Sequence, residues 1–446
     1  MDGPLVLATI GEAGPDAEST GLVVSDAESL AQAAAGDNDG YVSDAALADA
    51  TTPAADSGAA EPHQPEPVVV AAGLEVTADG RLEVTERVVE ATAGNGDGVG
   101  GPPPLLDIRN LVKEYPVTSG AILRRKVAAV HAVSDVSFSV PTGTTFGLVG
   151  ESGCGKTTIG KMIVALERPN SGAVTLGGVD VSKLHGGELR RKRRDLQLMF
   201  QDPHSSLDPR MRVGTIIGEP LAVQHIGSRR AQRDRVFELL SEVGLPRNAV
   251  ERYPHEFSGG QRQRIGLARA LTLNPRLIVA DEPVSALDVS IRAQVLNLMK
   301  RLQASHGLTY VVISHDLAVV KYMAERIGVM YLGKLVELGS AQDIYERAAH
   351  PYTAGLIATI PVPEPAAERA KEGVAIKGEL PSPVNPPSGC RFRTRCQFAQ
   401  ERCAAEEPQL RSFGPGHVAA CHFPLQSPDG AEVDTPAMTA TGEVHP

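Results

Sequence analysis

A glycine-rich segment with a lysine and two threonines carries residue types that bind phosphate. It reads GESGCGKTT over residues 150–158 and follows an apolar run at 145–149. The spacing matches G-x-x-x-x-G-K-S/T in the setting of strand, loop and helix. Glycines let backbone N–H groups converge on phosphates, while Lys156 reaches the β- and γ-phosphates and Thr157 offers its hydroxyl to Mg²⁺. The predicted phosphate loop contributes Gly150, Ser152, Gly153, Gly155, Lys156, Thr157 and Thr158.

Two adjacent carboxylates follow a second apolar run. Residues 277–280 are uninterruptedly apolar, as is typical of a central parallel strand, and Asp281 and Glu282 come directly after them. A nucleotide site needs a second group on the metal and a group that activates water. We expect Asp281 to hold Mg²⁺ through water and Glu282 to orient and deprotonate the attacking water.

The segment FSGGQRQRIGLARAL, residues 257–271, lies between these two motifs. Ser258 and the two glycines after it can begin a helix with exposed N–H groups, which is a potential anion site. The helix that follows is rich in Arg and Gln. Taken alone, the segment fits an anion-binding helix start and a capped surface helix equally well.

Strands and helices alternate along the chain from residue 105 onward. Apolar spacing of i, i+3, i+4, i+7 predicts a helix at 233–243, and another helix at 291–304 precedes an apolar strand at 308–313. Strand, helix and strand in this order predict an α/β fold with a parallel sheet. This sheet must position the phosphate loop and the paired carboxylates.

Composition divides the chain into four predicted segments. Residues 1–104 hold 19 Asp and Glu against 2 Arg, so this stretch carries −17 and the rest carries +6 of the total −11. We expect 1–104 to be an acidic, disordered extension, with short strands possible at 68–74 and 82–89. A nucleotide-binding domain at 105–345, a cysteine-bearing C-terminal region at 346–425 and a disordered tail at 426–446 complete the prediction.

Composition also excludes some classes of protein. The chain has no Trp and 4% aromatic residues, which argues against stacking on single-stranded nucleic acid, and we expect no nucleic-acid partner. It lacks an apolar run of about 18 residues and a signal peptide, so we expect it to stay in the cytoplasm.

Four of the five cysteines fall close together in the C-terminal region. Cys390, Cys396, Cys403 and Cys421 are separated by five, six and 17 residues. Gathered thiolates in a loop-rich region can ligate metal, and a Cys₄ set suits either tetrahedral zinc or an iron–sulfur cluster. Simple buried thiols are the third possibility. His417 and His422 flank the last cysteine and could substitute in a zinc site.

The motifs occur in an order that resembles the ABC ATPase family. The phosphate loop is followed by Gln201 after an apolar strand, then SGGQ, LIVADE, SALD at 285–288, and His315 after a further strand. The resemblance covers roughly residues 105–339. It implies a P-loop NTPase fold of the ABC type, with a RecA-like core and a helical subdomain, that binds ATP and Mg²⁺.

The resemblance also implies roles for individual residues. Gln201 would bind the metal and sense membrane subunits, and His315 would contact the γ-phosphate. Tyr115 would stack on adenine. Two such domains pair head to tail in this family, so Ser258, Gly259, Gly260 and Gln261 of the SGGQ motif would act on the partner's nucleotide. Asp288 of the SALD motif is also predicted to bind nucleotide.

The C-terminal region resembles that of ATPases from dipeptide and oligopeptide importers. HPYTAGLIATIPVP from residue 350, KGELPSPVNPPSGCRFRTRC from 377 and GHVAACHFP from 416 carry this second resemblance. GESGCGKTT and QDPHSSLDPRM look more like the second of the two ATPase subunits of such importers. Some related tails hold a 4Fe-4S cluster, which favours that centre over zinc for the four cysteines.

This family implies a peripheral subunit at the cytoplasmic face of the membrane that hydrolyses ATP to energise peptide uptake. Its partners would be a second ATPase subunit or a copy of itself, two transmembrane permeases and, indirectly, an extracytoplasmic solute-binding protein. Import of nickel, a sugar or an opine is an alternative. A non-transport ABC ATPase of translation or DNA repair, and a redox-sensing protein, are further alternatives.

Overall fold

The computed structural model describes residues 69–77, 82–88, 103–119, 125–201, 206–360 and 376–427. Elements are numbered in chain order. The strands are β1 (Val69–Val76), β2 (Leu82–Val88), β3 (Leu106–Ser119), β4 (Arg125–Val140), β5 (Thr145–Val149), β6 (Ser171–Leu176), β7 (Val179–Asp180), β8 (Leu196–Met199), β9 (Leu277–Asp281), β10 (Thr309–Ser314), β11 (Arg326–Tyr331), β12 (Lys334–Ser340), β13 (Arg411–Gly414) and β14 (His417–Ala419). The helices are α1 (Lys156–Ile163), α2 (Gly186–Lys192), α3 (Val213–Gln224), α4 (Arg229–Glu242), α5 (Gly259–Leu271), α6 (Val289–His306), α7 (Leu317–Met323), α8 (Ala341–Glu346), α9 (Pro351–Ala358) and α10 (Glu401–Ala405).

A large sheet forms the centre of the molecule, with the strand order β13-β14-β12-β11-β5-β10-β9-β8. Strands β8, β9, β10, β5 and β11 pair in parallel. Strands β5, β9 and β10 are buried at every position, because layers cover both faces of the sheet. The carboxyl ends of parallel strands meet at one edge, so the residues after β5, β8, β9 and β10 converge there.

A second, antiparallel sheet of order β4-β3-β6-β7 packs over the phosphate-loop helix α1. Strand β3 pairs with β4 along its whole length, from Leu106 opposite Val140 to Ser119 opposite Arg125. From the sequence, we expect residues 119–132 to be an insert that separates Tyr115 from the next strand and is longer than in a minimal ABC cassette. The structure corrects this interpretation, because β4 already begins at Arg125 and the two strands form one long hairpin.

The helical layer lies between β8 and β9 in the chain and comprises α3, α4 and α5. Its apolar residues join those of β9, β10 and α6 in one buried cluster. The helix predicted at 233–243 overlaps α4, and the helix predicted at 291–304 lies within α6. The physical reason is the apolar stripe on each helix, which can only be buried against the neighbouring layer.

The acidic extension predicted to be disordered lies mostly outside the described residues. Strands β1 and β2 are described, and they form an antiparallel hairpin close to the two short segments expected from sequence. Leu82 is buried in a small cluster with Leu221, Ala231 and Leu273. The tail predicted at 426–446 is described only as far as residue 427.

The C-terminal region extends the central sheet. Strand β14 pairs antiparallel with β12, and β13 pairs with β14. The buried carboxylate of Glu337 in β12 accepts hydrogen bonds from the backbone N–H groups of Ala349 and His350, at 2.7 and 3.0 Å, and it contacts His417 Nε2 at 2.8 Å. This one carboxylate therefore fastens two parts of the C-terminal region to the sheet.

Across the described ranges, no helix is both long enough and apolar enough to span a membrane.

Candidate active site

The phosphate loop, residues 150–155, joins the buried strand β5 to helix α1. Lys156 is the first residue of α1 and is 5% exposed. Its Nζ donates to the carbonyl oxygens of Gly150 at 2.6 Å and Glu151 at 2.9 Å. The ammonium group is thereby held at the mouth of the loop, where it can contact phosphate oxygens.

Two glycines of the loop are required by close backbone approach. Gly150 has φ of 147°, and a Cβ there would lie 2.2 Å from the carbonyl oxygen of Met330. Gly155 has φ of 105°, and a Cβ there would lie 2.1 Å from the carbonyl oxygen of Ala132. Any side chain at either position would push the loop off its neighbours.

Oxygen ligands suited to Mg²⁺ lie next to this loop. Thr157 Oγ1 is hydrogen-bonded to Asp281 Oδ1 at 3.2 Å. Burial raises the pKa of the Asp281 carboxyl, and the hydrogen bond from Thr157 lowers it in part. A hydroxyl and a carboxylate in contact are a fitting donor set for a hard divalent cation. The sequence-predicted pair is therefore brought together.

Two predicted catalytic side chains, Gln201 and His315, contact a third, Glu282. Gln201 Nε2 donates to Glu282 Oε2 at 2.8 Å, and His315 Nδ1 contacts Glu282 Oε1 at 2.8 Å. Glu282 has φ of 48°, a left-handed conformation that is uncommon for a residue with a side chain. Its N–H donates to the Ile313 carbonyl at 2.8 Å, which ties this turn to β10.

A cavity of about 450 Å³ connects the glutamate cluster to the phosphate loop. We call it the phosphate-loop cavity. It can hold a phosphate chain between the phosphate loop and Glu282, since residues of both form its wall. The described residues that line it are Gly150, Glu151, Ser152, Gln201, Glu282, His315, Leu317 and Leu356.

The SGGQ segment forms a capped helix start, away from this cavity. Ser258 Oγ accepts from the Gln261 N–H at 3.3 Å, and Gln261 Oε1 accepts from the Ser258 N–H at 3.0 Å. Both residues are exposed. A Cβ at Gly260 would lie 2.3 Å from Ile291 Cγ2, which explains a glycine there. Ser258, Gly259, Gly260 and Gln261 are not among the described residues that line the phosphate-loop cavity.

Two other predicted contacts are likewise not brought to the cavity within one chain. Asp288 is exposed at the start of α6, and Tyr115 is half-buried on β3. The ammonium of Lys113 lies 5.0 Å from the centre of the Tyr115 ring. Neither residue is among the described lining residues, so both roles stay predictions.

The four cysteines line one small cavity in the C-terminal region. Cys390, Cys396, Cys403 and Cys421 contribute to its wall together with His350 and His422. All four are free thiols, and burial raises the pKa of Cys396 to about 11 and that of Cys421 to about 12. Buried thiols with raised pKa values are poor nucleophiles, so a structural or ligand role fits better than reactive chemistry.

His350 provides an independent test of whether this cavity suits a bound centre. His350 Nδ1 accepts from the Tyr352 N–H at 3.0 Å, so the neutral ring carries its proton on Nε2. Burial lowers the pKa of His350 to about 4, which keeps the ring neutral. Nε2 is buried and has no hydrogen-bond partner among the described residues. A buried donor beside four thiols fits an acceptor such as a sulfur atom.

The arrangement of the thiols is not that of a formed metal site. Within the described ranges, no group of three or more His, Cys, Asp or Glu side chains is placed to hold a metal ion. The cavity between the thiols measures about 10 Å³. His417 bonds to Glu337 instead of lining the cavity. The donor set fits a centre, while the predicted iron–sulfur cluster and its zinc alternative stay predictions.

Sequence reasoning missed residues of the C-terminal region that contact the phosphate loop. Arg395 pairs with the Glu151 carboxylate, and Tyr352 Oη accepts from the Glu151 N–H at 2.9 Å. Leu356 lines the phosphate-loop cavity. The sequence signal for these contacts was the HPY segment at 350–352, which marks the start of an apolar helix. Nothing in the sequence indicates that this helix contacts the phosphate loop.

Fold and site together define an ATPase of the ABC type. Comparison with known proteins agrees. A family model described as ABC transporter matches residues 133–285, and a model described as the C-terminal region of oligopeptide/dipeptide transporters matches residues 336–403.

Individual relatives match over most of their length. The oligopeptide transport ATP-binding protein AppF of Bacillus subtilis is 50% identical over 320 residues, which cover 72% of this chain and 97% of that protein. A protein of Brucella ovis described as a peptide import ATP-binding protein is 51% identical over 318 residues, covering 71% and 97%. A solved dimeric ATP-binding cassette with ADP and Pi is 29% identical, covers 53% of this chain and 98% of its own, and has a TM-score of 0.47.

The chain therefore belongs to the ATP-binding subunits of the oligopeptide/dipeptide branch of ABC transporters. The family resemblance inferred from the ordered motifs is confirmed, and with it the expectation of an ATPase.

Proposed function

We propose that this chain drives the import of di- and oligopeptides by hydrolysing ATP at the membrane's cytoplasmic face. The observation that carries the ATPase step is the contact of Gln201 and His315 with the Glu282 carboxylate, beside the phosphate loop. The import of peptides is supported by the names of the relatives and by the match of the C-terminal region.

The chain's residues have distinct tasks in hydrolysis. Lys156 and the loop N–H groups bind the phosphates, while Thr157, Asp281 and the Gln201 side-chain oxygen would hold Mg²⁺. When bound with ATP, Mg²⁺ neutralises charge that develops on the phosphates. Glu282 accepts the proton of the attacking water, and His315 and Gln201 fix the direction of its carboxylate.

A second cassette completes the site in this proposal. Ser258 and Gln261 are exposed at the start of α5, so their N–H groups and side chains can meet a nucleotide held by another subunit. Tyr115 would stack on adenine, and Asp288 would lie at the subunit interface. The partner is a second ATPase subunit or a copy of this chain.

The permease subunits dock, in this proposal, on a groove next to Gln201. The groove encloses about 210 Å³ between β8 and the helices α3 and α5. Two apolar side chains at its rim, Leu166 and Phe200, are 52% and 45% exposed. Gln263 lines the groove, and its Nε2 is buried without a hydrogen-bond partner among the described residues. An apolar segment that brings a carbonyl oxygen would satisfy both features.

The groove is coupled to catalysis by covalent adjacency. Phe200 precedes Gln201, and Gln201 holds the Glu282 carboxylate. Movement of a docked permease segment would therefore shift the amide that orients the base. An extracytoplasmic solute-binding protein delivers the peptide to the permeases and does not contact this chain.

Uptake of labelled peptides tests the proposed function. In cells that normally make this protein, deletion of its gene should abolish uptake of labelled tri- and tetrapeptides, and the wild-type gene should restore it. Glu282→Gln should fail to restore uptake, and Phe200→Asp should fail while the purified variant still binds ATP. Glu346→Gln is the matched control and should restore uptake, since the Glu346 carboxylate accepts a hydrogen bond from Gln342 on the same helix α8. Unchanged peptide uptake together with lost uptake of nickel, a sugar or an opine would favour the alternative cargo.

The second part of the proposal concerns the four cysteines. Cys390, Cys396, Cys403 and Cys421 would hold a 4Fe-4S cluster, with zinc as the alternative. A cluster would stabilise a C-terminal region of few regular elements. The support is the shared cavity and His350 Nε2, a buried donor that has no hydrogen-bond partner in the part of the chain that the structure describes. We also propose the segment boundaries 1–104, 105–345, 346–425 and 426–446.

Anaerobic purification of the full chain should yield a brown protein with about four iron atoms per chain. Cys396→Ser should lose the broad visible absorption, because one iron loses its thiolate ligand. Cys154→Ser is the matched control, since Cys154 lies in the phosphate loop and not at this cavity. A colourless protein containing zinc would favour the alternative, and a metal-free protein with four titratable thiols would contradict both.

A further inference from the structure

Two residues of the C-terminal region, Arg395 and Tyr352, form hydrogen bonds with one residue of the phosphate loop, Glu151. Arg395 Nη1 lies 2.6 Å from Glu151 Oε2, and Nη2 lies 2.9 Å from Glu151 Oε1, which is a parallel two-bond arrangement. On the main chain, the Glu151 N–H donates to Tyr352 Oη at 2.9 Å. Both the side chain and the backbone of Glu151 are therefore fixed by residues outside the nucleotide-binding domain.

The pair is shielded from water. The Arg395 side chain is 8% exposed and that of Glu151 is 28% exposed. A half-buried guanidinium–carboxylate pair with two parallel bonds fixes direction as well as distance, which a fully exposed pair does not.

Glu151 is well placed to set the shape of the phosphate loop. Its carbonyl oxygen accepts from Lys156 Nζ at 2.9 Å, so the residue that Arg395 holds also positions the phosphate-binding ammonium. The loop contains three glycines, which have unusually wide conformational freedom when nothing restrains them. A fixed Glu151 reduces the number of loop conformations that ATP binding must select.

Arg395 and Tyr352 are also connected to the four-cysteine cavity. Arg395 immediately precedes Cys396, and Tyr352 lies in the same helix start as His350, which lines that cavity. Phe392 packs against Tyr352 and Tyr331 with ring centres 5.3 and 5.2 Å apart. A displacement of the chain around Cys396 therefore also moves the guanidinium group of Arg395 that binds Glu151.

We propose that Arg395 is a positioning residue for ATP binding: through Glu151 it holds the phosphate loop in its binding shape, and it couples that loop to the C-terminal region. The inference rests on the phosphate loop as the ATP site. By reciprocity, ATP binding must stabilise the C-terminal region by the same factor that the region contributes to ATP affinity.

The proposal is tested by measuring the binding of ATP with Mg²⁺ to the full chain by calorimetry. Every variant also carries Glu282→Gln, so that ATP is hydrolysed slowly during the measurement. Arg395→Ala should weaken ATP binding about tenfold, in the range of coupled sites, and Glu151→Gln should weaken it in the same direction. The double variant should bind little worse than Arg395→Ala alone, because both changes remove one interaction. Arg395→Lys should recover only part of the affinity, since an ammonium cannot form the fork.

Arg402→Ala is the matched control. Arg402 lies on α10 of the C-terminal region and pairs with Glu406 at the surface, away from the phosphate loop. It should leave ATP affinity unchanged. If Arg395→Ala does not fold, Glu151→Gln still decides the question, because it leaves Arg395 and the Glu151 N–H in place.

Hydrogen exchange gives a readout that a purely structural role would not move. ATP should slow exchange of backbone amides at 388–403 in the otherwise unchanged protein, and Arg395→Ala should abolish that slowing. ATP affinity within twofold of the unmutated value in both single variants, or additive losses in the double variant, would overturn the proposal. Loss of ATP binding in Lys156→Ala together with normal binding in Arg395→Ala would show that the ATP site stands and this coupling does not.

Discussion

Glu282→Gln is expected to lower ATP turnover by about 10²- to 10⁴-fold, the usual contribution of a general base. Gln201 Nε2 and His315 Nδ1 lie 2.8 Å from the two carboxylate oxygens of Glu282. The amide of the variant keeps the size of the carboxylate, and its one oxygen can still accept from Gln201. It cannot accept the proton of the attacking water. ATP binding should persist, and a closed dimer should accumulate because hydrolysis no longer reopens it.

Phosphate release and light scattering in the presence of ATP measure these two effects. Glu346→Gln provides the same chemical change on α8, where Glu346 bonds to Gln342, and it should leave turnover unchanged. If Glu282→Gln hydrolyses ATP at a rate within threefold of that of the unmutated protein, Glu282 is not the general base. A variant that neither binds ATP nor dimerises would show instead that Glu282 supports the fold of the site.

Replacement of Lys156 by alanine is expected to weaken ATP binding about 100-fold. A hydrogen bond to a charged group contributes about 1.5–3 kcal/mol, and Lys156 would supply such contacts to the phosphates. Its loss also leaves the carbonyl oxygens of Gly150 and Glu151 without the ammonium that draws them together. The loop therefore loses a charge and an internal restraint at once.

Titration with ATP and Mg²⁺ of the full chain measures this loss. Lys161→Ala is the matched control, since Lys161 lies on the same helix α1 and is exposed. The control should bind ATP normally. An affinity in Lys156→Ala within threefold of the control would contradict the placement of the phosphates at this loop.

Local motifs were predictable because neighbouring residues determine them. The phosphate loop needs its glycines where backbone atoms crowd Gly150 and Gly155, and the spacing of those glycines is visible in the sequence. Likewise, Asp281 ends a fully buried strand and Glu282 follows it, and an apolar run predicts such a strand directly. The helices α4 and α6 followed from apolar periodicity in the same way.

The hairpin of β3 and β4 shows where the sequence was misleading. Residues 125–132 pair with β3, but they carry basic and small residues that do not alternate as a buried strand does. The residue pattern at 125–132 does not predict a strand, but pairing with the long strand β3 supplies the hydrogen bonds that make it one. Half-exposed strands of this kind are decided by their neighbours.

The sequence by itself determined the chemistry of this protein: which residues can bind phosphate, hold a cation and take a proton. Only the tertiary structure decided which of them meet. Glu282 contacts Gln201 across 81 residues of chain, and Glu151 contacts Arg395 across 244. Such contacts depend on the order of strands in the central sheet and on the packing of the C-terminal region against it. Those are set by burial summed over the whole molecule, which no short stretch of residues encodes.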